Sequence, residues 1–392
     1  MGLLNRFGTL SYPAISEKYP RHTVVELTSD RCGPVSGSGK GNPPQNLASA
    51  LFELLEHAVC RGVIAPWEAP VPMDANELYL GGTLPNDAVG QYLRAQGGTL
   101  PAARFRLLSD PVESRDVWLP AAMYHPPLNR APEAAQRFAT GYWSTNGYAA
   151  GMNVSEALLH ALNEVIERDA LSHFLLQCGF GHAVGTSIVL RDGHLSALQA
   201  DIERSSGSSI DVRVIPALAG NVAIAIGSRF DHRGCRLFGE GSSTNAAYAI
   251  ERALTEYEEL CAIADRTDPE EDANDRRLID SYPFQRACYR CETVPSPVAR
   301  AEFRSDPATE TATVPAQLAT KVQALGDAGY PVLGRTLFCG AEEADQDAPT
   351  VVQAVVLGAE RFHLVTKGVV VEPIARLRTA RTMRACRRCV RC

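Results

Sequence analysis

Apolar residues recur at helical spacing in three stretches of the chain, and in each the polar arc carries carboxylates. In Asn46–Cys60, Leu47, Leu51, Leu54, Leu55 and Ala58 make one face, while Ser49, Glu53 and Glu56 lie opposite. In Ser155–Phe174 the core face is Leu158, Ala161, Leu162, Val165 and Ile166. The arc with Glu156, Glu164, Glu167 and Arg168 also carries Leu171 and Phe174, so this second polar side is at least partly enclosed. Asn245–Leu260 places Arg252, Glu256 and Glu259 together, with Arg252 and Glu256 spaced as a routine i,i+4 ion pair. Taken alone, the first of these reads as an ordinary amphipathic surface helix.

Between the helices the pattern changes period. Thr23–Leu27 reads as a strand, and the Gly/Ser-rich stretch Gly33–Gly41 as turns leading into the first helix. Residues 61–150 mix short apolar runs with Pro- and Gly-rich loops, and Ser144–Gly147 is a turn ahead of the second helix. Ile210–Ile215 and Val222–Ile226, with a turn at Asp231–Gly234, predict a meander. Two polar stretches, Asp265–Asp275 and Phe303–Thr313, read as loops. A helix over Pro315–Ala328 and strands at Val332–Leu337, Thr350–Val356 and Gly368–Val371 follow, and the chain closes on a basic, cysteine-bearing tail over 373–392. No solenoid-type repeat is visible. The irregular mixture predicts an α+β (mixed α/β) fold with mixed sheets, organised as a single domain over residues 1–392.

Composition narrows the function. With 392 residues, 45% of them hydrophobic, the chain can bury a sizeable core. A net charge of −7 without a basic stripe argues against a nucleic-acid partner. The longest apolar runs are too short for a membrane span. No apolar core of a signal peptide follows the N-terminus, and Arg6 breaks the myristoylation pattern. Eleven scattered cysteines in such a chain read as reduced thiols in a cytoplasmic protein.

Three acidic arcs that converge would form a carboxylate cage, which must bind cations or repel itself apart. The residues alone leave a metal–nucleotide site and solvated acidic faces equally open. Ser38-Gly39-Lys40-Gly41 fails the Walker pattern, because Gly follows Lys40 and Pro34 occupies the first glycine position. A turn with a lysine just before a helix can nevertheless hold an anion. The chain has no His-Glu-x-x-His, no Gly-x-Ser-x-Gly and no Gly-x-Gly-x-x-Gly after a strand. Cys288-x-x-Cys291 and Cys386-x-x-Cys389 each have the internal spacing of a zinc half-site, and together could make a four-thiolate Zn²⁺ centre.

Several segments in register resemble the YcaO family. They are Ser38-Gly39-Lys40-Gly41 with Ala48-Ser49-Ala50-Leu51-x-Glu53-x-x-Glu56; Thr145-Asn146-Gly147-x-Ala149-Ala150-Gly151 running into Glu156-Ala157; Leu162-x-Glu164-Val165-Ile166-Glu167-Arg168; and Glu251-Arg252-Ala253-Leu254-Thr255-Glu256. A weaker echo lies at Thr350–Phe362, where Val356-Leu357-Gly358 stands at the family's strand and turn. The likeness covers about 35–370. It implies an ATP-dependent enzyme that activates peptide backbone amides, most commonly for cyclodehydration of Cys, Ser or Thr to azolines, with thioamide or amidine formation and a non-catalytic scaffold as alternatives. It further implies Mg²⁺ at Glu53, Glu56, Glu164 and Glu167, and ATP at Lys40, Ser49, Asn146, Glu156, Arg168, Arg252 and Glu256. A precursor peptide, an E1-like or leader-binding partner, a flavin dehydrogenase and a homodimer are implied on the same ground. The chain departs from the family pattern at His57 after Glu56, at Gly151-Met152-Asn153, at Glu259 and at its Cys- and Arg-rich end, which replaces a Pro-x-Pro-x-Pro tail.

Overall fold

The computed structural model describes residues 3–12, 16–29, 32–65, 67–80, 88–109, 115–125, 134–191, 193–267, 276–304, 312–340 and 348–387. In chain order, β1 (Thr9–Ser11), β2 (His22–Ser29) and β3 (Cys32–Lys40) form a three-stranded antiparallel sheet, followed by α1 (Gln45–Cys60). Next come β4 (Val71–Asp74), α2 (Ala75–Leu80), α3 (Ala88–Gln96), β5 (Thr99–Leu107), β6 (Asp116–Pro120), α4 (Ala121–Tyr124), α5 (Ala134–Thr140) and β7 (Tyr148–Gly151). The long α6 (Val154–Phe180) leads to β8 (Thr186–Val189), α7 (His194–Ser206), β9 (Ile210–Ile215), β10 (Asn221–Phe230), β11 (Arg236–Ser243) and α8 (Ala246–Ala264). Then follow α9 (Arg276–Asp280), α10 (Pro283–Arg290), β12 (Ala299–Glu302), α11 (Val314–Asp327), β13 (Val332–Cys339), β14 (Thr350–Val356) and α12 (Ala380–Arg387). A five-stranded sheet runs β11-β10-β9-β8-β12, and a second large sheet runs β4-β5-β13-β14-β7 with β6 paired to β5. Only β12–β8 is parallel among the described pairs, so the fold is the α+β mixture that the sequence pattern implied.

The three carboxylate helices exist close to their expected bounds, and the middle one is longer. Its start is a cap: Asn153 Oδ1 accepts from Glu156 N at 3.0 Å, while Glu156 Oε2 accepts from Met152 N at 3.0 Å. Its end is a left-handed glycine, Gly181, with His182 N donating to Gln177 O at 2.9 Å. Apolar residues surround α6 on most sides, and Leu162, Ile166, Ala170, Phe174 and Leu175 are fully buried. It is the central beam of the molecule rather than a surface helix.

Two expectations are corrected. The Gly/Ser-rich stretch before α1 is not a series of turns but β3, paired with β2 from His22↔Lys40 to Leu27↔Val35. Its glycines face α1 at backbone contact: a Cβ at Gly37 would lie 2.2 Å from Ala50 O, and one at Gly39 1.9 Å from Asn46 O. They are there to let a helix lie directly on a strand. The same device recurs in β11, where a Cβ at Gly239 would meet Ala253 O at 2.2 Å and one at Gly241 would meet Ala249 O at 2.1 Å. Conversely, Gly368–Val371 is not a strand. It leaves the 3₁₀ turn Phe362–Lys367, and Val371 N donates to the Gln285 side chain at 3.1 Å instead of joining a ladder. Burial, not pairing, is what its apolar run serves.

The basic C-terminal stretch packs against the core as far as it is described. Ile374 is fully buried and its carbonyl accepts from Ala88 N at 3.0 Å. Arg376 Nε donates to both carboxylate oxygens of buried Asp169 on α6, at 2.8 and 3.0 Å. Cys389 and Cys392 lie outside the described residues.

Candidate functional site

The two glycine-floored strands bring α1 and α8 alongside α6, and the three acidic arcs face one another. Lys40, the last residue of β3, reaches across to Glu256 of α8 in a close ion pair and approaches Glu259 at 3.9 Å. Arg168 of α6 pairs closely with Glu240 of β11 and stands 4.0 Å from Glu164, 3.9 Å from Glu167 and 4.0 Å from Glu256. Ser38 donates to Glu259 and lies 3.0 Å from His22 Nε2. Glu164 Oε2 accepts from Gly147 N at 2.9 Å, which ties the turn before β7 to the cluster.

Seven carboxylates, Glu53, Glu56, Glu164, Glu167, Glu240, Glu256 and Glu259, thus surround Lys40 and Arg168, with Arg252 and Lys367 contributing positive charge from further out. Their protonation shows the imbalance. Burial, then the neighbouring Glu259, raises Glu53, although 38% of its side chain remains open to solvent. Burial followed by Glu164 and Glu53 raises Glu56. Burial raises Glu164 and Glu240 against the pull of Arg168, and raises Glu167 with further help from Glu256. Glu256 alone is lowered, because Lys40 and Arg168 outweigh its burial. Like charges held this close cannot all ionise without additional cations.

The donor set fits divalent metal and phosphate. Ligand oxygens of Glu167, Glu240 and Glu256 all lie within 4.8 Å of one another, the one such group among the described residues. Oxygen-only ligands at the junction of three elements suit a hard cation such as Mg²⁺. Asn146, only 8% exposed, has an amide oxygen with no hydrogen-bond partner among the described residues. A buried orphan acceptor beside the Gly147–Glu164 contact is the mark of a position that an incoming group completes.

Other expected residues are placed less centrally. Glu156 is exposed and occupied with the α6 cap. Arg252 is half-buried and, among the described residues, makes no ion pair with Glu256, which turns to Lys40 and Arg168 instead. Ser49 is half-buried on the α1 turn preceding Glu53. The zinc half-sites partly converge: Cys288 feels both Cys291 and Cys386.

Sequence reasoning missed Glu240, His160 and Lys367. Glu240, 4% exposed, stands between two glycines in a buried strand, where no helical spacing marks it. His160 lies one turn before Glu164 at an exposed position of α6, with Arg252 and Lys40 as its charged neighbours. A cavity of about 610 Å³, lined by Val154, Leu158, Trp67, Phe105 and Arg335, opens on the opposite side of α6 and is separate from the carboxylates.

Comparison with known proteins gives one family and a consistent fold. A family model described as YcaO cyclodehydratase, ATP- and Mg²⁺-binding, matches residues 38–356. No curated protein matches the sequence. Among solved structures, the chain is similar to YcaO from Methanopyrus kandleri bound with AMPPCP and Mg²⁺, with TM-score 0.65 and 21% identity over 96% of this chain and 91% of that one. It is similar to a heterocyclase in complex with substrate and cofactor, with TM-score 0.62 and 18% identity over 90% of this chain and 50% of that one. It also resembles a chain of the E. coli microcin synthetase McbBCD complex with pro-MccB17 bound, with TM-score 0.59 and 14% identity over 90% of this chain and 88% of that one.

Proposed function

This chain belongs to the YcaO family, and on that premise we propose that it is an ATP- and Mg²⁺-dependent enzyme that phosphorylates a backbone amide oxygen of a ribosomally made peptide. The single observation that carries the reading is the convergence of Glu164 and Glu167 with Glu240 and Glu256 around Arg168. A surface of solvated acids would not keep one guanidinium at the centre of four carboxylates.

In this reading Glu53, Glu56, Glu164, Glu167, Glu240 and Glu256 hold Mg²⁺, which supplies the positive charge that lets polyphosphate enter an acidic site. Lys40 and Arg168 offset phosphate charge once carboxylate oxygens turn to the metal, and Ser49, Asn146, Glu156 and Arg252 line the nucleotide pocket. His160, one turn from Glu164, offers an imidazole nitrogen at the edge of this site. The chemistry follows from the leaving group. The amide oxygen takes the γ-phosphoryl group of ATP and releases ADP. A substrate nucleophile then adds to the amide carbon, and the oxygen departs with phosphate.

With a Cys, Ser or Thr side chain as nucleophile the peptide loses a water and gains a thiazoline or oxazoline, which we favour; sulfide would give a thioamide and an amine an amidine. A leader-binding or E1-like partner presents the peptide, a flavin dehydrogenase could oxidise the azoline, and the enzyme works as a homodimer in the cytoplasm. The similarity to a synthetase complex with its peptide bound supports the partner and substrate class. Among the described residues no helix is long and apolar enough to cross a membrane.

The test is calorimetric titration of Mg·ATP into the wild type and Glu167→Gln, with circular dichroism to verify folding. We expect wild-type binding and a loss of at least about tenfold in the variant. A folded wild type that binds no nucleotide, alone or with its genomic-neighbour partner, overturns the reading in favour of a scaffold.

A further inference from the structure

The last turn of α6 carries a cysteine that no spacing rule connects to the others, yet the fold delivers it to them. Cys178 (8% exposed) lies beside Cys291 (1%), just past the end of α10, and near Cys288 (fully buried), which in turn neighbours Cys386 (2%) on α12. The thiol of Cys178 is turned onto the Cys291 sulfur, and Cys288 has Cys386 and Cys291 as its titratable neighbours. All four are free of disulfide bonds. Three elements distant in sequence therefore bring four buried thiols near one another.

Two details of the backbone fit this use. Cys291 has φ 47 and ψ 40, the one described non-glycine residue in the left-handed region. That conformation costs on the order of 1 kcal/mol for a side chain with a Cβ, and it folds the Cys-x-x-Cys turn back on itself. Gly179, directly after Cys178, leaves no room for a side chain: a Cβ there would stand 2.4 Å from Cys288 Sγ. Burial holds the Cys288 thiol well above its ordinary value, and the Gly179 amide, which donates to its sulfur, pulls the other way. Positive charge is also at hand. Arg236 donates to the carbonyls of Cys291 at 2.9 Å and Glu292 at 2.7 Å, and Arg213 bonds the carbonyls of Val184 and Pro295 at 3.1 and 2.8 Å.

We propose that Cys178, Cys288, Cys291 and Cys386 form a structural tetrathiolate zinc site. Four thiolates with Zn²⁺ carry a net double negative charge, which Arg236 offsets in part, Arg213 being already paired with Asp211 at 2.7 Å. Tetrahedral four-sulfur coordination selects zinc or an iron–sulfur cluster over hard cations. The sulfurs are spread more widely than a metal shell, since no three of them lie mutually within 4.8 Å, so side-chain rotation draws them in on loading. The set expected from spacing has Cys389, which lies outside the described residues, where this set has Cys178. The ion staples the C-terminal end of α6 to α10 and α12. Cys178 is eleven residues beyond Glu167, roughly 16 Å along the helix, so the site is distinct from the carboxylate cluster and does not depend on the nucleotide reading.

The test uses the full-length chain purified without added metal. Elemental analysis is expected to give about one zinc per chain, and cobalt substitution the intense thiolate charge-transfer bands of a tetrahedral four-sulfur site. Cys178→Ser should lose the zinc or release it to a colorimetric chelator at least about tenfold faster, while Cys389→Ser and the exposed-thiol control Cys339→Ser retain it. If Cys178→Ser does not fold, the cobalt spectra of the wild type and Cys389→Ser still decide. A wild type without zinc, one with the visible absorption of an iron–sulfur cluster, a Cys178–Cys291 disulfide in the native protein, or loss of metal in Cys389→Ser with retention in Cys178→Ser overturns the proposal.

Discussion

Glu240 and Glu258 sit in the same neighbourhood of the molecule and are set up for opposite ends. Glu240 is the closest partner of Arg168, so Glu240→Gln should weaken Mg·ATP binding about 10–100-fold, as loss of a metal or second-layer ligand does, with unchanged circular dichroism. Isothermal calorimetry reads the change directly. Glu258 points the other way from α8, is fully buried, and meets only Arg21 Nε at 3.3 Å; neither of its oxygens has a hydrogen bond among the described residues. Burial, against Arg21, raises it from 4.5 to about 7. Because the folded value is the higher, the folded state binds the extra proton between these pH values, and stability falls as pH rises from about 4.5 to about 7. Glu258→Gln should therefore stabilise the protein at pH 8 by about 1–3 kcal/mol and have little effect near pH 4.5, measured by urea unfolding at the two pH values. Neither role was readable in the sequence. Helical spacing grouped Glu256 and Glu259 correctly, but it says nothing about which neighbour a given carboxylate will meet, and Glu240 lies on a strand that carries no such periodicity.

For the elements, legibility tracked amphipathicity. The helices α1 and α8 announced themselves because each has one apolar face at 3.6-residue spacing, α6 by its length of apolar residues at helical spacing, and Ile210–Ile215 is a strand with the expected bounds. The strand β3 did not, since Gly37 and Gly39 contribute nothing to an apolar pattern and everything to the approach of α1. This makes Gly39→Ala a sharp test. The added methyl would collide with the Asn46 carbonyl, which belongs to a helix backbone and cannot rotate away. The expected cost is about 2–3 kcal/mol in chemical denaturation, with a parallel loss of nucleotide affinity because Lys40 is the next residue. Gly234→Ala, at a tip with nothing within 4 Å but with φ +74, should cost less, about 1 kcal/mol, and leave binding unchanged.

At the scale of the whole molecule, the irregular order of strands and helices was enough to give the mixed class, whereas the sheet order was not: β5 and β13 are neighbours although more than two hundred residues separate them. Ligand linkage provides the global measurement. Mg²⁺ and ATP together, at about 100 times the dissociation constant, should contribute about 2.7 kcal/mol and raise the melting temperature by a few degrees, while ATP with excess chelator should not. Removing the metal thus separates folding from loading in one calorimetric series. The same long-range wiring governs how the chain matures. The residues of all three carboxylate helices have been made once synthesis passes Ala264, yet Asp169, next to Arg168 on the central helix, receives its counter-ion only from Arg376. Until the ribosome delivers that arginine, the beam of the nascent protein carries an uncompensated carboxylate at its heart. The order of synthesis therefore places this contact of the central helix more than a hundred residues after the three carboxylate helices are complete.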